Sequence, residues 1–267
     1  GRVRGGGYTP GWTPAATGFM ARRTAATHAW AVLPLLRPGM DLLDAGCGPG
    51  TITAGLAAAV APGRLLAVDR EPGQAEAARR RLRAEGRDAD VLAADVADLP
   101  LQDGAVDVAF AHALLEHVPD PVAALAELAR VVRPGGAVVA VSPDWGGFVL
   151  APEEPAVARA IGFYERVQAE NGGDVRAGRR LGGWMAAAGL ADVRLEARYE
   201  CHADRTAIAG YLAERIERAP EVDGPAARGW AEGEDPAALA AALRDWACRP
   251  GGLFAQAWVA AVGRVSR

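Results

Sequence analysis

Asp41-Leu42-Leu43-Asp44-Ala45-Gly46-Cys47-Gly48-Pro49-Gly50-Thr51 is the stretch on which the fold turns. Its first half, Met40 to Ala45, is a short apolar run of the kind that a strand buried on both faces requires. Glycines at 46, 48 and 50 then permit a tight turn and let a ligand come close to the backbone. A helical pattern runs from Thr51 to Val60, so the turn opens onto a helix N-terminus, where free N–H groups favour bound polar groups. A dinucleotide fingerprint needs glycine at the sixth position of G-x-G-x-x-G, and here that position is Thr51. Asp44, two residues before the first glycine, is a poor neighbour for a pyrophosphate. It suits a cationic group such as an amine.

Outward from this turn, strand and helix patterns alternate. Strands are predicted at 64–69, 89–94, 105–111 and 137–142, with helices over 72–85 and 121–132, the latter stopped by Arg133-Pro134-Gly135-Gly136. Such spacing implies right-handed crossovers and a parallel sheet covered on both faces, a doubly wound α/β domain. Upstream, Thr13-Pro14 reads as the start of an Ala-rich helix reaching about Leu33. Beyond Ser142 the rhythm changes: helices are expected near 154–170 and 178–188 with no strand between 143 and 188. Strands then follow at 191–199 and 253–265, with helices at 204–219 and 235–247. Four segments result: residues 1–39, a flexible start and helix belonging to a cap; 40–142, the cofactor-binding core; 143–190, a helical cap over the substrate site; and 191–267, which completes the sheet.

Composition narrows the function. The 267 residues are 51% hydrophobic and carry a net charge of −4, which provides a core and argues against a general basic field for nucleic acid. All 29 basic side chains are arginine, which excludes chemistry that needs a lysine amine. The three cysteines, Cys47, Cys201 and Cys248, lack metal-ligand or disulfide-framework spacing. No metal is expected. No apolar run approaches the ~20 residues of a membrane span, and a reducing cytoplasm is the expected compartment.

In an open parallel sheet, ligands bind beyond the carboxyl ends of the strands. Asp69 ends the second strand, where a carboxylate accepts ribose hydroxyls. Asp95 follows the third and is placed to accept from an adenine amino group, with Val96 beside the ring. His112 is the first residue after the fourth strand and His117 lies about a turn further on. An imidazole titrating near pH ~6.5 is suited to take a proton from a phenol, an amine or an acidic carbon.

In this order, DLLDAGCGPGT (41–51), AVDREP (67–72), AADVADLPLQDGAVDVAFAHALLEHVPDP (93–121) and LARVVRPGG (128–136) resemble the class I S-adenosylmethionine (SAM)-dependent methyltransferases. The likeness is to the ubiquinone/menaquinone-biosynthesis-like, small-molecule group. It covers roughly residues 25–142 and implies a Rossmann-like seven-stranded sheet, mostly parallel, with the last strand antiparallel. It also implies that the glycine turn (Gly46, Gly48, with Asp44 and Cys47 nearby) holds the methionine moiety. Asp69, with Arg70, holds the ribose; Asp95 and Val96 hold the adenine; Ala111 and His112 line the reacting sulfur. His112 and His117 are the candidate bases, although in-line positioning can supply much of the rate of methyl transfer without one. The cofactor would be SAM and the product S-adenosylhomocysteine (SAH). Tyr8, Trp12, Phe19, Trp145, Phe148 and Tyr164 are the expected substrate-pocket aromatics, pointing to a small apolar or aromatic acceptor. Arg22 and Arg23 read first as a solvated helix face, with reach to the methionine carboxylate as the alternative. Two alternatives stay open: a SAM-binding enzyme of cyclase type that does not methylate, and a methyltransferase of RNA or protein. The latter is disfavoured because no N-P-P-Y-type motif follows the fourth strand.

Overall fold

The computed structural model describes residues 18–222, 229 and 233–266. Tyr8, Trp12 and the predicted helix start at Thr13-Pro14 lie outside them. The chain forms two compact units, whose described residues are 21–143, 177–197 and 258–266 in one, and 18–20, 144–176, 198–222, 229 and 233–257 in the other.

In chain order the elements are α1 (Ala25–His28), a 3-10 turn (Leu33–Leu35), β1 (Leu42–Ala45), α2 (Thr53–Val60), β2 (Leu65–Asp69), α3 (Pro72–Ala84), β3 (Asp90–Ala93), β4 (Val106–His112), a 3-10 turn (Leu115–His117) and α4 (Pro121–Val131). There follow β5 (Val132–Ala151), α5 (Pro155–Glu170), α6 (Ala177–Ala187), β6 (Ala191–Cys201), α7 (Arg205–Val222), α8 (Pro236–Ala247) and β7 (Leu253–Arg264). The seven strands lie in the order β3-β2-β1-β4-β5-β7-β6, a mixed sheet that is mostly parallel with one antiparallel strand. From β1 the chain winds outward to β2 and β3, then returns to place β4 on the other side of β1. The topological switch therefore falls between β1 and β4.

Within the sheet unit, alternation along each central strand divides two cores. Leu42, Leu65, Val108, Phe110 and Val139 face one side, with Leu56 and Val60 of α2 and Leu82 of α3. Leu43, Leu66, Val68, Ala109 and Val138 face the other, with Leu125 and Leu128 of α4 and Leu181 and Met185 of α6. In the second unit, α5, α7 and α8 bury a separate core that includes Phe163, Ile216, Trp246 and Phe254.

Two expectations need correction. The helix predicted through Leu33 is broken: Thr24 is extended (φ −126°, ψ 165°) and caps a new four-residue helix by reciprocal bonds with Thr27. The second concerns β5, expected at 137–142, which starts at Val132 and runs to Ala151, so a strand does enter the segment after Ser142. Arg133-Pro134-Gly135-Gly136, read as a stop, is part of it. Gly135 N–H donates to the Val265 carbonyl and Val265 N–H to the Gly136 carbonyl, which satisfies that backbone by pairing with the chain's last residues. Among the described residues no helix is long and apolar enough to cross a membrane.

Gly136 is a point of close approach: a Cβ there would lie 2.4 Å from the Asp107 carbonyl oxygen of β4. Gly136→Ala is expected to force the strands apart and lower stability by roughly 1–3 kcal/mol, read as a lower urea midpoint at unchanged m-value.

Candidate functional site

The parallel register brings the strand ends level. Ala45 of β1 pairs with Val68 of β2 and Ala111 of β4, and Asp69 pairs with Ala93 of β3. His112 stands opposite Val141 of β5. Asp44, Asp69 and His112 therefore share one rim of the sheet, at the switch point.

The turn after β1 is fastened to the end of β2. Gly46 N–H and Cys47 N–H both donate to the Val68 carbonyl (2.8 and 3.0 Å), and Gly48 N–H donates to Asp69 Oδ2 (2.9 Å). Gly46, Gly48 and Gly50 all take positive φ (74°, 52° and 80°), the region that favours glycine. Their flanks differ. A Cβ on Gly46 would meet Leu114 at 3.0 Å and one on Gly50 would meet Ala78 at 3.0 Å, while beside Gly48 nothing stands within 4 Å. Gly46 and Gly50 serve packing. Gly48 offers bare backbone to open space.

Asp44 is buried, and its Oδ2 accepts from Thr53 Oγ1 at the start of α2 (2.7 Å). Burial pushes its carboxyl up to about 6, against the Thr53 bond and assisted by the charge of Asp69. No cationic side chain among the described residues pairs with it. Asp69 accepts from Glu71 N–H (2.9 Å) as well as from Gly48, yet burial still raises its pKa. Burial also pushes the Cys47 thiol up, so this sulfur is a neutral packing group. Arg70 is exposed and lies beside Glu71 (3.5 Å). Asp95 is exposed and closes its own turn by accepting from Ala97 N–H (2.9 Å), with Val96 buried behind it.

At the end of β4, Ala113 takes φ +53°, a strained conformation for a residue with a Cβ, held by donation from its N–H to the Val141 carbonyl (2.8 Å). His112 is buried, its ring stacked on Trp258 of β7 (centroids 4.8 Å apart) and edge-on to His28 of α1 (5.2 Å). Its Nε2 is buried and has no hydrogen-bond partner among the described residues. Burial, then the charge of Arg23, whose guanidinium lies 5.1 Å from the Trp258 ring centre, lowers its pKa well below the usual value. His117 is lowered to about 3, chiefly by burial and then by Arg23 and Arg70. Both imidazoles are neutral at neutral pH. For that reason the 3.9 Å approach of His117 Nε2 to Glu116 Oε1 is not an ion pair.

Glu116 is the residue that the sequence reading missed. It is buried, and its Oε2 accepts from Ser142 Oγ of β5 (2.9 Å). The only signal in the sequence was an acid inside the apolar run Leu114-Leu115-Glu116. The aromatics expected at the substrate fall in the other unit. Trp145 and Tyr164 are buried in its core, with the Tyr164 hydroxyl 2.9 Å from that of Tyr211, while Phe19 and Phe148 are partly buried, stacked on Tyr211 and Phe254.

A family model described as a methyltransferase domain matches residues 43–140. An uncharacterized 37.1 kDa protein in transposon TN4556 of Streptomyces fradiae is 45% identical over 46% of this chain and 36% of its own length. Trans-aconitate 2-methyltransferase of Methylobacterium radiotolerans is 33% identical over 73% of this chain and 72% of its own. Four of the curated relatives are matched over only 36% to 63% of their length. Among solved structures, the [4+2]-cyclase SpnF aligns with TM-score 0.54 at 22% identity, over 94% of this chain and 80% of that one.

Folded Asp44 keeps its proton up to about 6, whereas the unfolded chain releases it near 3.8. The folded state thus binds more protons across that window, and stability falls as pH rises through it. Asp44→Asn should remove about 2–3 kcal/mol of that fall, measured as urea midpoints between pH 4 and 7.

Proposed function

The chain belongs to the class I SAM-dependent methyltransferases, and on that premise we propose that it moves a methyl group from SAM to an oxygen, nitrogen or carbon atom of a small, apolar or aromatic biosynthetic substrate. One observation carries the cofactor assignment. Asp44 is a buried carboxylate with no cationic partner among the described residues, beside a glycine turn whose Gly48 is bare. That combination fits a ligand bearing an ammonium group and pressed against backbone, as the methionine moiety of SAM would be.

When bound, SAM supplies an electrophilic methyl group on a sulfonium. The protein's part is to bind and orient. Asp44 would hold the amino group, with Gly46, Cys47 and Gly48 lining the same moiety. Asp69, with Arg70 at its side, would take the ribose hydroxyls on the lone pairs that Gly48 and Glu71 leave free. Asp95 and Val96 would meet the adenine, and Ala111 and His112 would border the reacting centre. His112 Nε2, neutral and buried, is fitted to accept a proton from the attacking group. His117, held neutral, is fitted to a hydrogen bond. The likeness to a cyclase at 22% identity speaks for the fold alone, so consumption of SAM decides between methylation and a non-methylating role.

Calorimetric titration with SAH, and NAD as control, is the direct test. Binding of SAH alone is expected, and a folded protein that binds neither loses the reading. Asp69→Ala should weaken SAH by roughly 1–3 kcal/mol, and unchanged affinity would remove Asp69 from the ribose. Gly48→Val, which adds a branched side chain where φ is +52°, should abolish binding; normal affinity in a folded variant would contradict the turn's role.

A further inference from the structure

Methylation of an O–H, N–H or acidic C–H group leaves a proton behind, and His112, where it would land, is 7% exposed. A buried imidazole that Arg23 disfavours as a cation must pass the proton on. The structure contains a route. His28 is buried edge-on against His112, with ring centroids 5.2 Å apart, and Trp258 braces both rings, stacked on one and edge-on to the other. His28 Nδ1 lies 2.7 Å from Thr27 Oγ1, which in turn lies 2.9 Å from Thr24 Oγ1. Thr24 and Thr27 are exposed. The three side chains beyond His112 thus run from the buried rim to the surface.

Building on the methyl-transfer reading above, we propose that His28, Thr27 and Thr24 form a proton exit from His112, and that the acceptor is a protic group that loses X–H on methylation. The acceptor keeps the X–H bonding pair and its proton passes to His112 Nε2. From there it crosses to the adjacent His28 ring through one bridging water, since the two rings are packed edge-on without a hydrogen bond between them. His28 releases its Nδ1 proton to Thr27 Oγ1, which hands a hydroxyl proton to Thr24 or to solvent. Each group ends with the number of protons it began with; His28 is left as its other tautomer and the threonine hydroxyls reversed, and exchange with solvent resets them before the next turnover. His28 and Thr27 act here through His112 and are positioning and relay residues.

Thr24 and Thr27 also cap α1, and the two roles predict opposite signs. Loss of a cap loosens the short helix and speeds exchange of buried protons with water, whereas loss of a relay slows it. The measurement is solvent exchange of the His112 imidazole proton by nitrogen-15 NMR on the full-length protein without cofactor. Thr27→Val is expected to slow exchange tenfold or more, and Thr27→Ser to restore it to within twofold of the parent. Unchanged or faster exchange in Thr27→Val would overturn the relay. SAH titration of the same samples separates the two readings: absent binding defeats the methyltransferase assignment, while the exchange rates still decide the route.

Discussion

The site rests on the bonds that tie the turn after β1 to the end of β2. Two N–H groups share the Val68 carbonyl and a third meets the Asp69 carboxylate, so the turn cannot move without the neighbouring strand. The positive φ values follow from this tie, because the chain must reverse within a few residues while pointing three donors the same way. Gly46 and Gly50 then let Leu114 and Ala78 close in, which fixes the floor of the turn. Only Gly48 keeps its flank open. The result is a carboxylate partly used by backbone beside a glycine with empty space on its flank.

Electrostatically the rim is unbalanced. Asp44 and Asp69 are raised by burial, and the two imidazoles at and after β4 are held neutral by burial and by nearby arginine. The opposite end of the strands shows a different arrangement. There Arg133 donates to both Asp41 and Asp107, holding the Asp41 carboxyl below its usual range. Ion pairs join the strands at that end, while Asp44 at the other end is buried with no cationic partner among the described residues. A strained Ala113 at the end of β4 adds to the cost of organising that rim.

Much of the fold was readable because its signals are local. Continuous apolar runs marked β1, β2 and β4, and Pro72, Pro121, Pro155 and Pro236 opened helices where a missing N–H costs nothing. Reading failed where distant residues decide. Val132 to Gly136 looked like a stop because glycine and proline dominate it, yet its partner is Val265, far along the chain. The long N-terminal helix failed because Thr24 and Thr27 bond to one another and make a competing cap. Glu116 escaped notice because its partner, Ser142, is 26 residues away.

The sequence by itself determined the strand–turn–helix with its glycines, the acids at the strand ends and the position of His112 at the end of the fourth strand, although β4 includes His112 where the strand was expected to stop at Ala111. Each depends on backbone preference and on hydrophobic periodicity within a dozen residues. Only the tertiary structure decided that the strand ends lie level and that Asp44 is buried with no cationic partner among the described residues. It also decided that His28, His112 and Trp258, separated by most of the chain, share one cluster. The reason is physical: burial, and the pKa shifts that follow from it, come from what the rest of the chain packs against a residue, and neighbours in sequence carry no record of that.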